Sequence, residues 1–296
     1  MTQNDECLRV ENLVVRYENE LVLNEISFAV QKGEIFIVMG GSGSGKSTLL
    51  RHMTGLETPA DGNVNIGDID IIRAEEGDFT HILKKIGVLF QSNALIGSMT
   101  IGENIALPIR EHLEIDTDLI PTIVRMKLAM VGLECYEQHL PSEISGGMEK
   151  RAGLARAMAL NPEILFLDEP SAGLDPVTAS EIDDLILHIN KTVGTTMVIV
   201  THDLDSIYAI GHRAILLDKN SKSIIARGDP RKLQEKYENQ KVRIAAGSRR
   251  LLYYGPGVCR FFPSLYAVKV YGILRHSREK EFKIPPTQIR LTNPPV

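Results

Sequence analysis

An apolar run, Ile35-Phe36-Ile37-Val38-Met39, ends in Gly40-Gly41-Ser42-Gly43-Ser44-Gly45-Lys46-Ser47, and the helix-like Thr48-Leu49-Leu50-Arg51-His52-Met53 follows at once. A buried strand, a glycine-rich loop and a helix in that order make a phosphate-binding turn. The glycines release backbone conformations that a Cβ would forbid and turn successive N–H groups toward one point. In such a nest Lys46 reaches the β- and γ-phosphate oxygens, and Ser47 offers its hydroxyl to Mg²⁺. The helix beginning near Lys46 turns its positive end to the anion. Gly55 supplies the stop.

About a hundred residues later, Ser145-Gly146-Gly147-Met148 opens a second helix, read as Met148 to Ala159, and provides a second anion-binding terminus. One bound nucleotide needs only one such terminus. The second is therefore expected to address the γ-phosphate held by another copy of the chain. Ile164-Leu165-Phe166-Leu167-Asp168-Glu169 then ends a buried strand in two carboxylates. Asp168 suits Mg²⁺ through water beside Ser47, and Glu169 suits polarisation of the attacking water. Thr201-His202-Asp203 follows the strand Met197 to Val200 and puts an imidazole at the corresponding sheet edge, in reach of the γ-phosphate. The expected chemistry is metal-assisted, in-line hydrolysis, with charge on the γ-phosphoryl oxygens stabilised by Lys46, Mg²⁺ and loop amides.

The surrounding pattern is α/β. Leu8 to Val15 and Ile26 to Val30 alternate as half-exposed antiparallel strands do. Asp61-Gly62 marks a turn, and Asn63 to Ile66 after it fits another edge strand. Gly87 to Phe90, Ile164 to Leu167 and Met197 to Val200 are continuously apolar, as central strands of a covered parallel sheet are. Residues 92–160 turn helical, most clearly from Leu119 to Gly132, and form a helical insertion.

In these features the chain resembles an ATP-binding-cassette transporter ATPase subunit over residues 7–238. The resemblance implies a P-loop NTPase core with a mostly parallel sheet, an antiparallel β-subdomain and a helical subdomain over 92–160. Gly40 to Ser47 corresponds to the Walker A loop, with Thr48 beside it, and Ser145-Gly146-Gly147 to the signature that acts in trans. Leu165 to Asp168 corresponds to Walker B, Glu169 to the catalytic base and His202 to the switch histidine. By the same resemblance Gln91 is the Q-loop glutamine, a further ligand at the Mg²⁺ and γ-phosphate end of the site. Asp175 belongs to the D-loop, Ser171 to Asp175, which also acts in trans. Tyr17 stands where the family stacks an aromatic ring on adenine.

Met148 departs from the family's usual glutamine. With Leu89 to Leu95 and Ala106 to His112, it makes the chain similar to ATPases of bacterial MCE-type (Mla-like) phospholipid transporters, a group that includes toluene-tolerance and plastid lipid-transport ATPases. That likeness implies ATP and Mg²⁺ as cofactors and a homodimer of ATPase subunits. It also implies two permease subunits, an MCE-type substrate-binding protein and a small regulatory subunit. The expected location is peripheral, on the cytoplasmic face of the inner membrane. Two alternatives share the catalytic motifs: the ATPase of a polar-solute importer, and a non-transport cassette protein in nucleic-acid or cofactor-assembly work. A nucleic-acid partner is not expected, since the chain has one cassette and no heptad array.

Composition agrees with a globular ATPase, at 43% apolar residues. No run approaches the ~20 apolar residues of a membrane span, and the N-terminus lacks a signal-peptide pattern. Cys7, Cys135 and Cys259 form no metal spacing and receive no role. Charge divides the chain near residue 240: 22 Lys and Arg stand against 36 Asp and Glu before it, and 11 against 2 after it. The basic, aromatic tail 239–296 is read as disordered or as a docking arm for a partner.

Overall fold

Two sheets organise residues 6–18 and 20–233, which are those the computed structural model describes. The tail 239–296, and with it residues 234–238 of the expected ATPase unit, lies outside them. The chain runs through β1 (Glu6–Tyr17), β2 (Glu20–Gln31), β3 (Ile35–Gly40), α1 (Lys46–Met53), β4 (Asp61–Ile66), β5 (Ile69–Asp70), α2 (Glu76–Lys85) and β6 (Ile86–Leu89). It continues through α3 (Ile101–His112), α4 (Ile120–Met130), α5 (Gly146–Ala157), β7 (Ile164–Asp168), α6 (Pro176–Val193), β8 (Thr196–Val200), α7 (Leu204–Ile210), β9 (Arg213–Leu217) and β10 (Ile224–Gly228).

The six-stranded sheet has the order β10-β9-β3-β8-β7-β6. It is parallel except for the β9–β10 hairpin at one edge. Its continuously apolar strands serve two cores at once, because side chains alternate between faces. Ile35, Ile37, Leu165, Leu167, Met197 and Ile199 enter one core with residues of α3, α4, α5 and α6. Phe36, Val38, Ile164, Phe166, Val198 and Val200 enter the other, with α1 and the four-stranded antiparallel sheet β2-β1-β4-β5. The parallel core strands with an antiparallel subdomain and a helical segment are the architecture expected from the sequence.

Three local expectations are corrected. Asn63 to Ile66 is not at an edge: β4 lies between β1 and β5, and Asp61-Gly62 is its first pair of residues rather than a turn. Gly62 is needed there for space, since a Cβ would lie 2.6 Å from the carbonyl oxygens of Glu11 and Asn12. Conversely β6, which reads as central, is the strand at the other edge of the six-stranded sheet. It is apolar because helices cover both of its faces, Ile86 and Val88 facing one core and Leu89 the other. Finally, the second glycine-led helix starts at Gly146 rather than Met148 and ends at Ala157. Ser145 is its N-cap, with extended backbone and its hydroxyl accepting from the Met148 N–H at 3.3 Å. Gly147 falls in the first turn because it is pressed on α6, where a Cβ would meet Thr178 Cγ2 at 2.6 Å.

The register decides where the site forms. Val38 of β3 and Asp168 of β7 both pair with Val200 of β8, so the loops after these three strands leave the same sheet edge. Carboxyl ends of parallel strands are where α/β folds hold ligands.

Candidate nucleotide site

Between β3 and α1 the chain turns with Gly43 at φ 74° and Gly45 at φ 91°, both left-handed. Gly40 has no positive φ; there a Cβ would sit 2.5 Å from Ser44 Oγ, so space and not conformation requires glycine. Lys46 Nζ donates to the carbonyls of Gly40 at 3.0 Å and Gly41 at 3.2 Å. Burial pushes this ammonium's pKa down, and the Glu169 and Asp168 carboxylates oppose the shift. Ser44 Oγ is buried with no partner, an orphaned hydroxyl inside the loop. Ser42 and Gly43 lie exposed at the tip. The donor set fits a polyphosphate.

The end of β7 supplies two neighbouring carboxylates with separate environments. Asp168 accepts from Ser47 Oγ at 3.2 Å. Burial pushes the Asp168 pKa up, the Ser47 hydrogen bond opposes this, and Glu169 adds to it. Ser47 and Asp168 therefore present two hard oxygen ligands, of the kind Mg²⁺ takes. Glu169 turns away from its neighbour through a left-handed backbone at φ 50°, unusual for a residue with a side chain. Its N–H is held by the Val200 carbonyl at 2.8 Å, and its Oε1 lies 2.7 Å from His202 Nδ1. Glu169 is 7% exposed, whereas the His202 side chain is 56% exposed, so the pair links the buried strand end to solvent.

Tyr17, at the end of β1, is 44% exposed. Its hydroxyl bonds Glu57 and also lies by Thr48 of α1, and burial followed by the Glu57 contact raises its pKa. Arg51 pairs with the same Glu57 at 3.2 Å. Glu57 carried no expectation from the sequence; nothing in its local pattern distinguishes it from a loop acid.

The structure brings together Lys46, Ser47, Asp168, Glu169 and His202, and keeps Ser145, Gly146, Gly147 and Asp175 in a second group. Asp175 N-caps α6, accepting from the N–H groups of Val177 and Thr178 and from Thr178 Oγ1 at 2.6 Å. Gly147 abuts Thr178 and Gly146 faces Leu174, so the two helix starts stand side by side. Gln91 is exposed, and its backbone carbonyl accepts from Lys150 Nζ at 2.6 Å. Lys150 escaped sequence reasoning, although a signal exists. It falls on the buried stripe of α5 with Gly147 and Leu154, where an unpaired cation is not tolerated.

Comparison with known proteins adds the following. The model of the ABC transporter family matches residues 23–172. The chain is 35% identical over 244 residues to the "Intermembrane phospholipid transport system ATP-binding protein MlaF" of Haemophilus influenzae, covering 82% of this chain and 92% of that protein. It is 41% identical over 198 residues to the "Probable ribonucleotide transport ATP-binding protein mkl" of Mycobacterium tuberculosis, covering 67% of this chain and 55% of that protein. Among solved structures, a dimeric ATP-binding cassette in a post-hydrolysis state bound to ADP and Pi superposes with a TM-score of 0.69. It is 31% identical, covering 75% of this chain and 98% of that one.

Proposed function

The chain belongs to the ABC transporter family, as an ATP-hydrolysing ATP-binding subunit, and from that premise we propose that it powers phospholipid transport between bacterial membranes. Two copies would work with two permease subunits, an MCE-type substrate-binding protein and a small regulatory subunit. The assembly would sit at the cytoplasmic face of the inner membrane. Among the described residues no helix is long and apolar enough to cross a membrane, so a peripheral position relies on such partners. In this reading residues 7–238 are the ATP-binding domain, 92–160 its helical subdomain, and 239–296 a tail with a separate role.

The roles follow from the chemistry of each group. Gly40 to Thr48 cradle the phosphates of ATP, Lys46 neutralises the β- and γ-phosphate oxygens, and Tyr17 stacks on adenine. Ser47 and Asp168 would hold Mg²⁺, with Gln91 as a further ligand from its loop. Among the described residues no cluster of three His, Cys, Asp or Glu side chains could hold a metal, and Mg²⁺ would therefore need further oxygen ligands from outside the chain. Mg²⁺ supplies charge neutralisation on the phosphates. Glu169 accepts the proton of the attacking water, and His202 orients Glu169 and faces the γ-phosphate. Ser145, Gly146, Gly147 and Asp175 of the second copy close over that same phosphate, so that hydrolysis reopens the pair.

One observation supports these catalytic roles above others: the adjacent carboxylates at the end of β7 and just beyond it lead to different partners, Asp168 to Ser47 and Glu169 to His202. Two carboxylates in separate environments divide metal-holding from proton transfer. The lipid reading leans on the span of the match, which covers 92% of the MlaF protein against 55% of mkl. Purification of the tagged chain from its host membrane, with identification of the copurifying permease and lipid, tests it. Phospholipid with an MCE protein is the expected result; a polar-solute binding protein would replace this reading with the importer one.

A further inference from the structure

Helix α5 carries a second device besides its Ser145 cap. Lys150, one turn inside, is 4% exposed, and its Nζ donates to the Gln91 carbonyl at 2.6 Å and to the Glu169 carbonyl at 3.4 Å. Burial pushes this ammonium's pKa down, while Asp168, Glu169 and Glu149 oppose the shift. A buried cation is costly to keep, and Leu154, one turn further along the same face of the helix, is aliphatic. One of the residues that Lys150 grips, and the loop just beyond the other, are held in uncommon conformations. Glu169 has φ 50°, and just beyond Gln91, Asn93 and Ala94 have φ 62° and 52°. Other side chains of α5 hold that loop too: Arg156 donates to the Ala94 carbonyl at 2.6 Å and, more weakly, to that of Asn93 at 3.5 Å. Asn93 Nδ2 donates to Glu149 at 3.2 Å.

Glu169 is pinned on every side. Its N–H is on Val200, its carboxylate on His202, and its carbonyl accepts from both Lys150 and the Ala172 N–H, the latter at 3.1 Å. Of these tethers only Lys150 comes from the helix that Ser145 caps, and only Lys150 also reaches Gln91. We propose that Lys150 is a positioning residue, which locks the backbones of Glu169 and Gln91 to the Ser145 helix so that all three move as one body. This rests on the reading of Glu169 as the base. Lys150 touches no reacting atom; it acts through two carbonyls. A displacement of α5 on meeting the second copy would thus reach the base and the Gln91 loop together.

The test uses the full chain with Lys150→Met, Lys150→Gln and Lys150→Arg, and Glu169→Gln alongside. Amide hydrogen exchange is followed over residues 91–95 and 169–172 without nucleotide, together with equilibrium ATP binding and steady-state turnover. With Lys150→Met, exchange in both segments is expected to rise. Turnover should fall about 10- to 100-fold, the scale of a misplaced catalytic group. ATP affinity and KM should stay within about twofold, the pattern of a lost transition-state arrangement. Lys150→Arg, which keeps a cation and donors, should recover most of the turnover. Lys150→Gln decides the matter should the Met variant fail to fold, since its amide can still serve one carbonyl. Turnover within about twofold of normal, unchanged exchange, or a rise in KM with kcat intact would each overturn the proposal. If Glu169→Gln keeps normal turnover while Lys150→Met still loosens both segments, the base assignment fails and the Lys150 tether stands.

Discussion

Around the phosphate loop Lys46, Asp168 and Glu169 are buried and bonded within their own half of the site, whereas Ser145 and Asp175, at the starts of α5 and α6, are exposed and cap their own helices with their side chains. Lys46, Asp168 and Glu169 are each less than 10% exposed, while Val177, in the first turn of α6, is 70% exposed. In the buried half each charged group already has a partner in the same chain: loop carbonyls for Lys46, Ser47 for Asp168, His202 for Glu169. In the exposed half Ser145 and Asp175 spend their oxygens on N–H groups of their own helices and, for Asp175, on the Thr178 hydroxyl as well. On the proposed assignment the chain would preorganise hydrolysis by itself and leave closure to a second molecule. Substitutions in the first half should damage chemistry in any assembly state, and those in the second should damage only the closed pair.

The largest effect is expected at the base. Glu169→Gln should lower turnover by about 10³-fold, leave ATP binding intact, and accumulate a dimer in Mg-ATP visible by light scattering. Near-normal hydrolysis would remove Glu169 from the mechanism. Lys46→Met should cost about 10²- to 10³-fold in turnover, as loss of a preorganised cation does. It should also weaken ATP binding to the single chain, which separates it from Glu169→Gln.

Ser145→Ala probes the exposed half. Its expected loss is roughly fivefold in turnover, since one neutral hydrogen bond is worth about 1 kcal/mol. ATP binding to the monomer should not change, and the deficit should shrink at high protein concentration. A monomer binding defect would show that the halves are not separate.

Asp183 lies on α6 against α7, the helix that follows His202. Its Oδ1 has no partner, and burial, reinforced by Asp203, Asp184 and Asp205 against a Ser206 hydrogen bond, raises its pKa to about 6. The folded chain therefore binds this proton more tightly than the unfolded one, and its contribution to stability is lost as pH rises from about 4 through 6. Asp183→Asn should stabilise the chain by at most ~3 kcal/mol at pH about 7.5 and by nothing below pH about 4, measured by urea unfolding. Last, Tyr17→Ala should weaken ATP binding by about fivefold, a stacking contribution near 1 kcal/mol, and Tyr17→Phe should not.

The groups legible in the sequence are those whose function is carried by contiguous residues. Gly43 and Gly45 announce a left-handed loop because no other residue adopts it at so little cost, and Asp168-Glu169 announces a strand end because charge follows an apolar run. Helix α4 is legible from its apolar period and from Gly132, which ends it at φ 72°. Strand order is not written in this way. β6 and β7 are equally apolar, and only packing decides which of them forms the edge. Lys150 is the sharpest case: as sequence it is one lysine in a charged helix start, and its partners Gln91 and Glu169 stand 59 and 19 residues away. The sequence alone determined the phosphate loop, the strand-end carboxylates and the class of fold, because backbone conformation and hydrophobic period are local properties. Tertiary structure alone decided which strands lie at the edges, where Glu169 is pinned and which cation is buried beside it, because those depend on contacts between residues that only folding brings together.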